Sequence, residues 1–200
     1  MTTAGIPAAA PRPAAGKLLL PLLAGAAVAV LLGVYGGVHD PTLDAPYTLF
    51  FTATFNLKVW FATVAVFFAL VQMLTALRIY GKINVPRTQP SWYGDFHRLS
   101  GALAFGFTLP VAYQCLWGLG FQSTDMAGDD SMRVLVHSIA GCFFYGAVVT
   151  KIFFVREKGL PGWALPLMGG AVFTALVVVW LTSALYVFVD PGHFGNPPLF

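Results

Sequence analysis

Five long apolar stretches limit what this chain can fold into: residues 18–38, 55–80, 96–121, 133–155 and 163–189, each boundary read to within a few residues. Each is near or above the ~18–20 residues that carry a helix across a bilayer. Inside hydrocarbon a backbone must satisfy its own amides, so runs of this length form transmembrane helices. Composition agrees, since 58% hydrophobic and 10% charged residues are far from the quarter-charged mix of a soluble domain. The expected fold is an all-α integral membrane bundle of five helices. Its immediate partner is the lipid bilayer, and its expected place is the plasma (inner) membrane, as a multi-pass protein.

Residues 1–16 are rich in Ala and Pro and read as a disordered tail, residues 17–190 as the five-helix domain, and 191–200 as a short tail. The first span is long and ends in Tyr35-Gly36-Gly37-Val38-His39-Asp40 without a convincing small-x-small cleavage site, so it reads as a retained anchor. Its Gly25, Ala29, Gly33 and Gly37 recur every four residues, predicting a ridge on which another helix packs closely. Pro110 predicts a kink in the third span, whereas Pro166 falls in the tolerant first turn of the fifth. Cys115 and Cys142 lie inside spans at no metal-ligand spacing and read as small packing residues. Trp180 lies deeper than the interfacial Trp60, Trp117 and Trp163.

With five spans the termini lie on opposite sides, and charge assigns the sides. Nine of the eleven Lys and Arg (Arg12, Lys17, Arg78, Lys82, Arg87, Arg98, Lys151, Arg156 and Lys158) fall on the amino-terminal side, leaving Lys58 and Arg133 opposite. Six of the eight acids accompany those two. The amino terminus is therefore expected in the cytoplasm and the carboxyl terminus outside. This placement explains the basic excess and excludes nucleic acid as its cause.

Two short stretches share the pattern His-x-x-x-Gly-x-x-x-aromatic-Gly: His97 to Gly101 with Phe105-Gly106, and His137 to Gly141 with Tyr145-Gly146. Residues four apart share a helix face, so each Gly lies one turn along from its His. An imidazole beside bare backbone leaves room for a flat group such as haem. The same Gly equally admits a close neighbouring helix. Opposite helix directions put His97 near the cytoplasmic face and His137 near the external one, roughly 20 Å apart by helical rise, so they cannot share one haem. At the level of His137 stand Gln114, expected as a supporting residue, and the loop histidines His39 and His193, either of which would be its axial partner. At the level of His97 stand Lys151 and Tyr80.

Asp95-Phe96-His97-Arg98-Leu99-Ser100-Gly101 and Val136-His137-Ser138-Ile139-Ala140-Gly141 resemble the histidine helices of transmembrane b-type cytochromes, the ascorbate-reducible and ferric-reductase-like proteins. That resemblance implies one or two haem b groups, with His137 and His97 on the iron, Gly141 and Gly146 beside the ring at His137, and Gly101 beside the ring at His97. It also implies electron transfer with a redox partner protein or a larger membrane complex. In the dihaem cytochromes four histidines arrive in pairs at each leaflet; here Gln114 and Lys151 stand near where further ligands are expected. Through Gly36-Gly37-Val38-His39-Asp40-Pro41, Asn56-Leu57-Lys58-Val59-Trp60 and Cys142-Phe143-Phe144-Tyr145-Gly146, the whole chain is similar to a family of small five-span bacterial membrane proteins of unassigned function, which implies the fold alone.

The chain has no Walker loop, dinucleotide fingerprint, zincin motif or nucleophile elbow. Paired intramembrane carboxylates and matched halves are absent too, which counts against a small-solute carrier. The residues leave two main readings open. One is a haem-bearing electron-transfer subunit; the other is a haem-free structural or assembly subunit whose histidines and small residues pack helices.

Overall fold

A computed structural model of the chain describes residues 15–42, 47–121 and 131–189. The helices are α1 (Ala15–Val38), α2 (Thr54–Ile79), α3 (Tyr93–Tyr113), α4 (Ser131–Arg156), α5 (Ala164–Leu181) and α6 (Ala184–Val189). A π-helical stretch, Gln114–Leu119, prolongs α3. No strand occurs among the described residues. Taken with their extensions, these make five helices long and apolar enough to cross a membrane, and the chain is an all-α multi-pass membrane protein.

α2 packs along α3, α1 along α4, and α4 along α5, while α2 also meets α5 and α6. The central cluster is made largely of small residues, Ala65, Ala69, Ala104 and Ala175, with Phe144 and Leu176 between them. Large apolar side chains such as Leu20, Leu31 and Phe67 point outward. Lipid is as apolar as leucine, so close van der Waals approach of backbones, rather than exclusion of water, holds such helices together. Polar links add to it. Trp180 Nε1 donates to the Thr63 hydroxyl at 3.0 Å, and that hydroxyl donates to Val59 O at 2.8 Å, tying α5 to α2.

The small-residue ridge of α1 is real but turns off the predicted line. Gly25 meets Gly146 and Thr150 of α4, and Gly36 meets Phe121, whereas Gly33 and Gly37 have open space beside them. A helix turns 100° per residue, so each step of four overshoots a fixed face by about 40°. Three such steps from Gly25 carry Gly37 about 120° away. Pro21, whose carbonyl accepts from Thr150 Oγ1, with Gly25 and Gly36, keeps closer to the true period.

The spans also break where hydroxyls or proline compete with the backbone ladder. Pro110 lacks the amide that would bond one turn back, and a few residues later the ladder widens into the π-helical stretch. Gly120, with φ +62°, then turns the chain so that Phe121 N–H bonds Gly36 O at 2.7 Å. The fifth span, expected unbroken to Val189, is interrupted at Thr182–Ser183. There both hydroxyls donate backward, Thr182 to Val178 O (2.7 Å) and Ser183 to Val179 O (2.6 Å).

Candidate functional site

The interruptions in α3 and α5 both border one cavity, at the end of the bundle where α2 and α4 begin. It encloses about 290 Å³ and its walls are mostly apolar. That volume lies just below the ~300–1,000 Å³ usual for cofactor and ligand sites. α4 supplies its most polar face: Arg133, His137 and Gly141 follow at intervals of four, with Ser138, Cys142 and Tyr145 beside them. Facing these are Lys58 of α2, Thr108 of α3, Cys115 of the π-helical stretch and Thr182 at the α5–α6 break.

His137 is fixed from one side. Its Nδ1 lies 3.2 Å from Val179 O and 3.1 Å from Thr182 Oγ1. A carbonyl can only accept, so Nδ1 carries the proton and Nε2 keeps its lone pair; this tautomer is assigned from the partners. Nε2 makes no hydrogen bond among the described residues. One turn deeper, a Cβ added to Gly141 would meet nothing within 4 Å, so the wall beside the imidazole is open. At the floor Tyr145 Oη donates to Thr108 O at 3.0 Å.

The charged groups close enough to act on His137 are both cations, Arg133 and Lys58. Arg133 Nη1 donates to Thr182 O at 2.7 Å, and its guanidinium carbon lies 4.2 Å from the centre of the Tyr186 ring. No acidic residue lines the cavity among the described residues. Sequence reading placed Lys58 and Arg133 at span ends, Cys115 and Cys142 in packing, and did not single out Thr182. Arg133 stands one helical turn before His137, a signal that was present in the sequence.

The second His-Gly pair sits in a different environment. His97 Nδ1 is 2.8 Å from Thr75 Oγ1, whose own proton goes to Gln72 O at 2.9 Å. The Gln72 amide occupies the space beside Gly101, so a Cβ there would collide with it. At this end the glycine admits a neighbouring side chain of α2. Neither His97 nor Gly101 borders the cavity. Gly146, expected beside a ring, instead abuts Gly25 of α1.

The expected companions of His137 are elsewhere. Gln114 is buried and its Nε2 donates to Tyr47 O at 2.8 Å, tying the π-helical stretch to the loop before α2. Tyr47 stacks on Tyr113, with ring centres 5.9 Å apart, and burial together with that neighbour pushes its phenol pKa up. His39 lies over the end of α1, stacked on Tyr35 at 4.9 Å, with Nε2 donating to Trp117 O at 3.1 Å. It borders the α1–π-helix junction and not the cavity. His193 lies outside the described residues. Among the described residues no three His, Cys, Asp or Glu side chains converge as a metal-binding group, so the cavity offers iron a single imidazole rather than a cluster.

No curated protein and no solved structure matches the chain. The sequence matches DUF6529, a family of unknown function, over residues 18–194, and the chain belongs to that family.

Proposed function

We propose that the protein is a membrane b-type cytochrome-like electron-transfer protein, or a haem-bearing subunit of a redox complex, with one haem b in the His137 cavity. The observation that carries this reading is the fixing of His137 through Nδ1 beside the open flank of Gly141. Histidines that ligate metals characteristically donate their other ring N–H to a backbone carbonyl or similar acceptor, which sets the tautomer and the ring plane. The residues present fit a haem: a neutral imidazole nitrogen with no partner among the described residues, bare backbone one turn away, and mostly apolar walls. When bound, haem supplies a one-electron couple whose potential depends on axial ligand, burial and nearby charge.

The chain's own part is to hold Nε2 toward the ring, to exclude water with apolar walls, and to set the local charge with Lys58 and Arg133. The charge asymmetry of the loops supports an external position for this site, in a plasma membrane with the amino terminus inside. The inner His97, bonded to Thr75 with Gln72 filling the Gly101 step, supports one haem rather than two. The same inner contact favours the second reading, a haem-free structural or assembly subunit, for that half of the bundle.

The test is a reduced-minus-oxidised optical spectrum of the purified protein and of His137→Ala and His97→Ala. A b-type signal lost in His137→Ala and kept in His97→Ala is the expected result. Protein produced with ample haem that shows no signal overturns the haem reading and leaves the helix-packing account.

A further inference from the structure

The cavity is electrically one-sided along its depth. Lys58 lies in the second turn of α2 and Arg133 in the first turn of α4, both at the outer mouth. His137 is one turn deeper than Arg133, Gly141 two and Tyr145 three, or about 6, 12 and 18 Å by helical rise. Below His137 the walls are apolar, apart from thiols and hydroxyls. Lys58 is half-buried and makes no hydrogen bond or ion pair among the described residues. Arg133 is held in place by Thr182 O and the Tyr186 ring whatever else it meets.

A half-buried cation on an apolar wall is costly and usually functional, and an anion beside it removes much of that cost. We infer that the cavity selects an amphipathic carboxylate, whose acid groups meet Lys58 at the mouth while its apolar body lies toward Gly141 and Tyr145. This inference rests on the haem reading and deepens it: Lys58, within the positive field of Arg133, would hold the propionates of a bound haem. The bland alternative is that Lys58 reaches past the mouth to lipid phosphates. In that case Lys58 contributes nothing to the choice of ligand.

The experiment uses full-length protein purified in detergent from haem-deficient cells and titrated separately with haemin and with haemin dimethyl ester, which lacks the acids. Binding is read from the Soret band. The wild type is expected to bind haemin about tenfold more tightly than the diester, the scale of one charge-assisted contact. Lys58→Gln should lose most of that preference by weakening haemin alone, and Lys58→Arg should retain it. Among the described residues Lys58 has no hydrogen-bond or ion-pair partner to lose, so these variants avoid the folding risk of changing Arg133. Equal wild-type affinities for acid and diester, or an unchanged preference in Lys58→Gln, overturn the carboxylate inference while leaving the haem reading intact. Binding of neither compound removes both.

Discussion

Gly146 of α4 and Gly25 of α1 meet backbone to backbone, so closely that a Cβ on Gly146 would lie 2.5 Å from the Gly25 carbonyl oxygen and 3.0 Å from the Ala29 methyl. The carbonyl belongs to a helical backbone and cannot swing aside as a side-chain end can. Thr150, one turn along α4, donates to both Gly146 O and Pro21 O, so a polar bond spans the same crossing. The first span is thus docked on α4 by absence of side chain.

Gly146→Val should therefore destabilise the α1–α4 contact by about 1–3 kcal/mol, the usual cost of overfilling a packed interior. Gly33→Val, on the same helix as Gly25 but facing open space, meets no packing cost, and helix propensity favours Val over Gly by about 0.3 kcal/mol, so stability should be unchanged or slightly raised. Thermal unfolding of the two variants in one detergent separates these outcomes. Equal losses would show that both faces of α1 are packed.

At the His97–Gly101 pair the obstruction is a flexible side chain, and the expected pattern differs. Gly101→Ala drives a methyl into the Gln72 amide, which can swing away at the cost of its position near His97. Placed in a Gln72→Ala background, the same substitution no longer meets the side chain that is its nearest neighbour. A double-mutant cycle should show coupling of about 0.5–3 kcal/mol, with Gly101→Ala unfavourable only when Gln72 is present. Additive effects would mean that the two residues do not share the site.

How much of this was legible in the sequence depends on the range of the physics involved. The spans follow from hydropathy and length, which act locally, and they were readable to within a few residues. The every-four glycine ridge was half readable. Small residues at helical spacing announce a crossing, but whether Gly33 or Gly36 faces it depends on 40° of drift per step, and on a partner helix that the sequence does not identify. The two His-Gly motifs look alike on paper, yet Gln72 fills one step and a cavity adjoins the other. That difference lies in α2 and α5, far away in the chain. Gln114 and His39 were matched to His137 by depth alone, and depth says nothing about which way around a helix a side chain points. The break at Thr182–Ser183 was foreshadowed by two adjacent hydroxyl residues in an otherwise apolar span.

Gln114 offers a clean separation of structural from site roles. Its Nε2 bonds Tyr47 O and its side chain does not line the cavity. Gln114→Leu keeps the volume and removes the bond, so it should cost about 1 kcal/mol and loosen the loop before α2. The readout is a lower unfolding temperature with faster proteolysis near Tyr47. In protein that carries haem, the spectrum and the potential should stay as in the wild type. A shifted potential would return Gln114 to the surroundings of His137.

Thr182 is the converse case, since its hydroxyl touches both the helix break and the imidazole. It donates to Val178 O at 2.7 Å and accepts from His137 Nδ1 at 3.1 Å, while its carbonyl holds Arg133 at 2.7 Å. Thr182→Val preserves shape and removes only the hydroxyl. Val179 O stays in place, so His137 keeps one acceptor and the expected loss of haem affinity is near the low end of the ~10–100-fold range for partners of metal-ligating histidines. Thr182→Ser, which restores the hydroxyl, should restore the affinity. A purely structural role would instead lower the unfolding temperature in Thr182→Val while leaving haem affinity and reduction potential unchanged. Haem titration and potentiometry on the three proteins distinguish the two roles directly, because the carbonyl that orients Arg133 is common to all of them.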